Sequence, residues 1–164
     1  MPLVPFDTLP DDARLWVFAS DRALLDADAD RLLEEADTFL SRWQAHGTPL
    51  TCARDWRDDR FLAIAVDQSA AGASGCSIDG LYRALAALER ELGTRLLAGG
   101  RIFHRDPSGQ VQVSDRGLFA TLGRHGEVDG ATTVYDTTVT TVGDWRRRFE
   151  TTVSHSWLGE LVAR

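Results

Sequence analysis

The chain has 164 residues, of which 43 % are hydrophobic, and a net charge of −7. That length is typical of one domain, and burying roughly 70 % of its extended surface requires neither a disulfide nor a structural metal. The charge argues against a broad polyphosphate-binding surface, because the one dense basic run, Arg146-Arg147-Arg148, lies between Asp144 and Glu150.

All 18 basic residues are arginine, and neither lysine nor asparagine occurs. Schiff-base catalysis through lysine is therefore excluded, and so is a P-loop with its phosphate-binding lysine. Cys52 and Cys76 are too few for a secreted disulfide scaffold and read as free thiols of a reducing compartment. No apolar run approaches the ~18 residues of a membrane span. The first ten residues have no basic group ahead of an apolar stretch, unlike a signal peptide. The expectation is a cytoplasmic protein of open oligomeric state, with neither membrane nor nucleic acid as a partner.

In chain order, residues 1–12 read as an irregular, proline-rich arm. Leu15-Trp16-Val17-Phe18-Ala19 is a continuous apolar run, the pattern of a strand buried on both faces. A helix follows, with Leu25, Ala29, Leu32, Leu33, Ala36, Phe39, Leu40 and Trp43 forming one stripe. Asp26, Asp28 and Asp30 suit its positive N-terminal end, and Gly47 suits its stop. Residues 50–55 read as a strand and 56–59 as a polar turn. Phe61-Leu62-Ala63-Ile64-Ala65-Val66 is the second continuous apolar run. A second helix carries Ile78, Leu81, Leu85, Leu88 and Leu92 and ends at Gly93. Residues 101–105 then read as a strand, 106–109 as a turn and 110–113 as the return strand.

The order from residue 15 to 105 is β-α-β-β-α-β, which predicts an α+β, ferredoxin-like core with strand order 4-1-3-2. The two apolar runs would be its central strands, and they are expected to be parallel neighbours. The whole chain then reads as one domain, 1–164, made of the arm, a core over 14–105 and an extension over 106–164. The extension is β-rich, with short helices expected over 115–122 and 154–162. Its Thr-Thr-Val stretches have strand composition without a repeat period.

The richest candidate site is Asp67-Gln68-Ser69-Ala70-Ala71-Gly72-Ala73-Ser74-Gly75-Cys76-Ser77-Ile78-Asp79, linking the second apolar strand to the second helix. Glycines allow a ligand close to the backbone, and free N–H groups at a helix start attract anions. The same field activates a cysteine thiol. With parallel central strands, Ser20, Asp21 and Arg22 would lie beside Asp67 and Cys76. A small or anionic ligand, or a protein partner, would then meet Ser20, Arg22, Asp67, Ser74, Gly75, Cys76, Ser77 and Asp79. One alternative is a thiol-dependent enzyme, with Cys76 as nucleophile, Arg22 as anion clamp and Asp67 or Asp79 as orienting acid. Another is an assembly module with no small-molecule site. The bland reading makes the segment a tight loop and helix cap, with Cys76 a buried hydrophobe and Arg22–Asp67 a salt bridge. In this fold His46 would sit at the far end of the first helix, which disfavours a Cys76–His46 pair.

The combination Trp43-Gln44-Ala45-His46-Gly47 and Ala71-Gly72-Ala73-Ser74-Gly75-Cys76-Ser77-Ile78-Asp79 resembles a family of small uncharacterised bacterial proteins. The likeness extends over most of the chain, to Ser156-Trp157. Members are sometimes labelled "ABC transporter ATPase". The glycine-rich turn here lacks lysine, so the resemblance implies kinship and no mechanism, and no ATP hydrolysis is expected.

His46, His104, His125 and His155 show no metal-ligand spacing, and no cofactor motif is present. Each reads as structural or exposed. Asp26, Asp28 and Asp30 lack the glycine and glutamate of a calcium loop. Asp55, Asp58 and Asp59 fall at a hairpin turn. Trp16 and Trp43 read as core, and Trp145 and Trp157 as cover for a pocket or partner surface.

Overall fold

The computed structural model describes residues 3–69 and 71–162. Met1 and Pro2 of the expected arm, Ala70 of the glycine-rich turn and the last two residues of the expected extension lie outside them. The chain divides into two compact units. One comprises the residues up to Leu97 together with Val139–Asp144; the other runs from Ala98 to Thr138 and from Trp145 onward. The expected 14–105 core is thus cut before its last strand.

The first unit holds a sheet of β1 (Arg14–Ala19), β4 (Thr51–Arg57) and β5 (Phe61–Asp67), in the order β1-β5-β4. Residues 61–66 of β5 are entirely buried, which is why that central strand reads as an unbroken apolar run. On one face Trp16, Phe18, Leu62, Ile64 and Val66 meet α1 (Asp26–Ser41) and α2 (Gly75–Leu92). Leu32, Ala36 and Leu40 come from α1, and Leu81, Leu85, Leu88 and Leu92 from α2. Burying one such leucine contributes roughly 1.5–3 kcal/mol.

Both neighbours of β5 are antiparallel to it, with Phe18 opposite Leu62 and Trp56 opposite the same residue. The expected parallel pairing is corrected, and the connections explain why. A helical crossover from β1 to β4 makes those two strands run the same way. The tight turn between β4 and β5 reverses the chain, so a strand inserted between β1 and β4 opposes both. The observed order keeps the 1-3-2 part of the expected sheet. The outer edge of β1 is met by the segment Val139–Asp144, through Leu15 N–H to Thr140 O and Val142 N–H to Ala13 O. The arm is not wholly irregular: Val4 N–H donates to Cys52 O on the edge of β4, and Phe6–Thr8 forms a 3-10 turn.

Gly47 does not stop α1. The helix ends at Ser41, and β2 (Gln44–Ala45) and β3 (Thr48–Pro49) form a small hairpin. His46 and Gly47, with φ of 52° and 78°, supply its two-residue turn. At the other helix, Gly93 in the left-handed region caps α2 and the Glu89 carboxylate accepts from Leu96 and Leu97 N–H.

The second unit is a four-stranded antiparallel sheet, β7-β6-β8-β9, built from β6 (Ile102–Arg105), β7 (Val111–Ser114), β8 (Thr133–Tyr135) and β9 (Glu150–Thr152). Strand β6, expected as the fourth strand of the core, pairs with β7 and β8. On one face α3 (Arg116–Arg124), with Asp115 as its N-cap, packs Phe119 against Ile102, Val134 and Val153. α5 (Gly159–Val162) joins α3 through Leu161 and Val162. On the other face Phe149 stacks on Tyr135 and Trp145. Trp145, in the middle of α4 (Val142–Arg148), is fully buried and is core rather than pocket cover. No helix among the described residues is long and apolar enough to cross a membrane.

Candidate functional site

The glycine-rich turn ends in a capping box. Ser74 Oγ accepts from Ser77 N–H at 3.1 Å, and Ser77 Oγ accepts from Ser74 N–H at 2.7 Å. Each serine thus satisfies a backbone donor that would otherwise be unpaired at the start of α2. Gly75 and Cys76 follow in the first turn, Cys76 is exposed, and Asp79 is exposed one position beyond Ile78. Asp67 closes its own turn by accepting from Ser69 N–H, which holds its carboxyl below the ordinary range.

Ser20 and Arg22 do not join this group. Because β1 opposes β5, the loop leaving β1 lies where β5 begins, and Ser20 N–H donates to Arg60 O. Ser20 Oγ shares a hydrogen bond with Thr94 Oγ1. Arg22 donates to Leu92 O at 2.7 Å and to Asp28 at 3.0 Å, so it caps the carbonyl end of α2. Sixteen helical residues, about 24 Å, separate that end from Cys76. Asp21 pairs with Arg95. The expected Arg22 clamp and the expected Arg22–Asp67 bridge are both replaced by these contacts.

The segment around His46 comes the other way. Trp43 Nε1–H donates to Ser77 O at 2.8 Å, and β2 packs on α2. Residues 43–45 therefore meet the first turn of α2, whereas the expected fold kept the neighbouring His46 away from Cys76.

The two thiols differ in environment. Cys52 is fully buried, with its S–H directed at Leu40 O, and burial pushes its pKa up to about 12. Iodoacetamide at neutral pH should therefore modify Cys76 in the native protein and reach Cys52 only after unfolding. Mass spectrometry of the native reaction checks this, and modification of Cys52 at a comparable rate would contradict the packing around it.

A second site lies in the second unit. Between the β6–β7 hairpin and α3 is a cleft of about 630 Å³, a size in the usual range for small-molecule sites. His104, Gln112 and Ser114 line it from the hairpin, and Leu118 and Leu122 from α3. Asp106 and Pro107 close one end, and Gly126 and Glu127 border it. His104 pairs with Gln112 and Ile102 with Ser114 across the hairpin, so these side chains share the face turned to α3.

Two atoms of this cleft are exceptional. His104 and Ser114 are 4 % and 6 % exposed, and among the described residues neither His104 Nδ1 nor Ser114 Oγ has a hydrogen-bond partner. Leaving a buried polar group unpaired costs about 1–3 kcal/mol. The His104 ring is edge-on to Phe119, with centroids 5.5 Å apart. Burial lowers its pKa, against a weaker upward pull from Asp106, so the ring is held neutral.

Asp106 organises the hairpin turn. Its Oδ1 accepts from Ser108 and Gln110 N–H, and its Oδ2 from Gln112 Nε2–H. Hydrogen bonds from the Ser108 and Gln112 side chains, then Gln110 N–H, hold its carboxyl down to about 2. The folded pKa lies below the unfolded value of 3.8, so the stabilisation is complete above that value and is lost as pH falls through about 2. Amide exchange in β7 should accelerate across that window in the wild type, with no such step in Asp106→Asn. An identical acid limb in both proteins would remove Asp106 from this role.

Sequence reasoning treated His104 as one of four isolated histidines. Alternation along Ile102-Phe103-His104-Arg105 already placed it on the same face as Ile102, a polar group turned toward apolar neighbours. Trp157, the other expected pocket cover, is half exposed and stacks with Arg116 beside a smaller cavity of about 200 Å³. Among the described residues, no three His, Cys, Asp or Glu side chains are grouped to hold a metal.

No family model, curated protein or solved structure matches this chain. The resemblance at residues 43–47 and 71–79 accordingly brings no activity with it, and function rests on the chemistry of the sites themselves.

Proposed function

We propose that this protein binds a small organic molecule, and that its ligand site is the cleft between the β6–β7 hairpin and α3. The observation that carries the reading is that two residues lining one cleft, His104 and Ser114, each hold a buried polar atom, Nδ1 and Oγ, without a partner among the described residues. Natural folds pair the large majority of such groups, so two orphans beside one cleft call for a partner. Leu118 and Leu122 add apolar surface opposite them, so the cleft combines an apolar wall with a few convergent polar groups. The glycine-rich turn is the weaker ligand site, because its serines already engage each other.

A fragment screen by ligand-observed NMR, repeated on His104→Phe and Ser114→Ala, tests the reading. Hits should lose binding in both variants. An empty screen, or hits indifferent to both substitutions, would dismiss the cleft as the binding site.

A second reading, thiol chemistry at Cys76, is favoured by one observation: the thiol is exposed in the first turn of an 18-residue helix. The test is the rate of alkylation at neutral pH. A rate at least roughly tenfold above that of a free cysteine supports this reading, and an ordinary rate removes it.

A further inference from the structure

We infer that the ligand of the cleft is an amphipathic cation: an ammonium or amidinium head on a small apolar body. This rests on the cleft being the ligand site. The head is argued from charge and from hydrogen-bond direction. Among the described residues, both formally charged ones lining the cleft, Asp106 and Glu127, are carboxylates, and no arginine lines it. That is notable in a chain with 18 arginines, because an anion-binding site recruits guanidinium groups for their forked geometry. Asp106 stays ionised at neutral pH, fixed by its four hydrogen bonds from the turn and from Gln112.

An anionic ligand would be placed against two like charges. A cation gains from both, by a modest amount each, because the two carboxylates stand open to water. Direction agrees with sign. A neutral imidazole with its proton on Nε2 presents a lone pair at Nδ1, and the Ser114 hydroxyl oxygen also accepts. An ammonium group is donor-only, so its N–H bonds match the accepting character of both orphaned atoms. The apolar body is argued from α3: Leu118 is half exposed at the mouth of the cleft, with Leu122 deeper. A hydrocarbon or aromatic group lying on that pair would cover surface now left open to water.

Three probes of the same skeleton separate the possibilities: 2-phenylethylamine, 2-phenylethanol and phenylacetate. Isothermal titration against the wild type, Glu127→Gln, Ser114→Ala and His104→Phe is the measurement. The amine is expected to bind roughly tenfold tighter than the alcohol, and the carboxylate more weakly than either. Glu127→Gln, an exposed substitution that leaves the hairpin turn intact, should weaken the amine several-fold and leave the alcohol unchanged. Tightest binding by the alcohol or the carboxylate, still lost in His104→Phe, would overturn the cation while keeping the cleft. Amine binding that ignores Glu127→Gln would overturn the cation in the same way. Binding of all three probes unaffected by His104→Phe and Ser114→Ala, or no binding by any, would overturn the cleft itself.

Discussion

Ser114→Ala is expected to make the protein more stable and to bind ligand less well. The hydroxyl is buried to 6 % exposure without a partner, and alanine removes it while keeping Cβ. Relieving one unsatisfied group returns on the order of 1 kcal/mol or more. That is worth several degrees in melting temperature for a unit of this size, about 4–8 °C per kcal/mol. The measurement is thermal unfolding with and without a cleft ligand found in the fragment screen. The wild type should melt lower than the variant alone but gain more from ligand. A serine retained only for structure would behave oppositely, because its loss would lower the midpoint. Natural sites often trade stability for function in this way.

The second large effect is expected at Trp43. Its ring is 3 % exposed, edge-on to Trp16 at 5.8 Å and tilted against Phe39 at 5.7 Å. Its indole N–H is the buried tie to Ser77 O. Trp43→Phe keeps an aromatic ring but removes the donor and leaves a void. The expected cost is about 2 kcal/mol, from one lost buried hydrogen bond plus imperfect filling. Urea unfolding should show a lower midpoint at unchanged slope. Alkylation of Cys76 should also quicken, since the first turn of α2 loses its anchor. A midpoint shift smaller than about 0.5 kcal/mol, ordinary for a surface change, would show that the tie contributes little.

What was legible in the sequence follows the range over which each signal acts. The stripe of α2 and the unbroken run of β5 are local patterns, and the structure reproduces both. The 3.6-residue period and the Gly93 stop are written within a few turns of one helix. Strand direction is not local. Residues 15–19 and 61–66 look the same whether paired parallel or antiparallel, and only the connections decide. The antiparallel sense could have been deduced from a crossover followed by a hairpin. Parallel pairing would put Ser20 and Arg22 at the N-terminal end of α2; the antiparallel pairing puts them at its C-terminal end. The β2–β3 hairpin was hidden because Trp43 continues the apolar spacing of α1, and the His46-Gly47 turn looks like a helix stop. In the second unit the hairpin over 101–113 and the helix over 115–122 were legible and are found as β6, β7 and α3, whereas β8 and β9 have three residues each, too few for a period to emerge. Its cleft depends on where α3 lands across the hairpin, although the inward-facing His104 was visible from alternation alone.

The return of Val139–Asp144 to the edge of β1 affects how the chain matures on the ribosome. Synthesis is vectorial, and β1, β4, β5 and both long helices emerge well before Thr140 and Thr141. Through that interval the backbone groups of Ala13 and Leu15 that later bond to Val142 and Thr140 are unclaimed. An uncovered strand edge is a template for pairing with another chain. The nascent protein is thus most exposed to misassembly after its first unit has collapsed and before the closing segment arrives. A fragment ending at Leu97 would carry that open edge permanently.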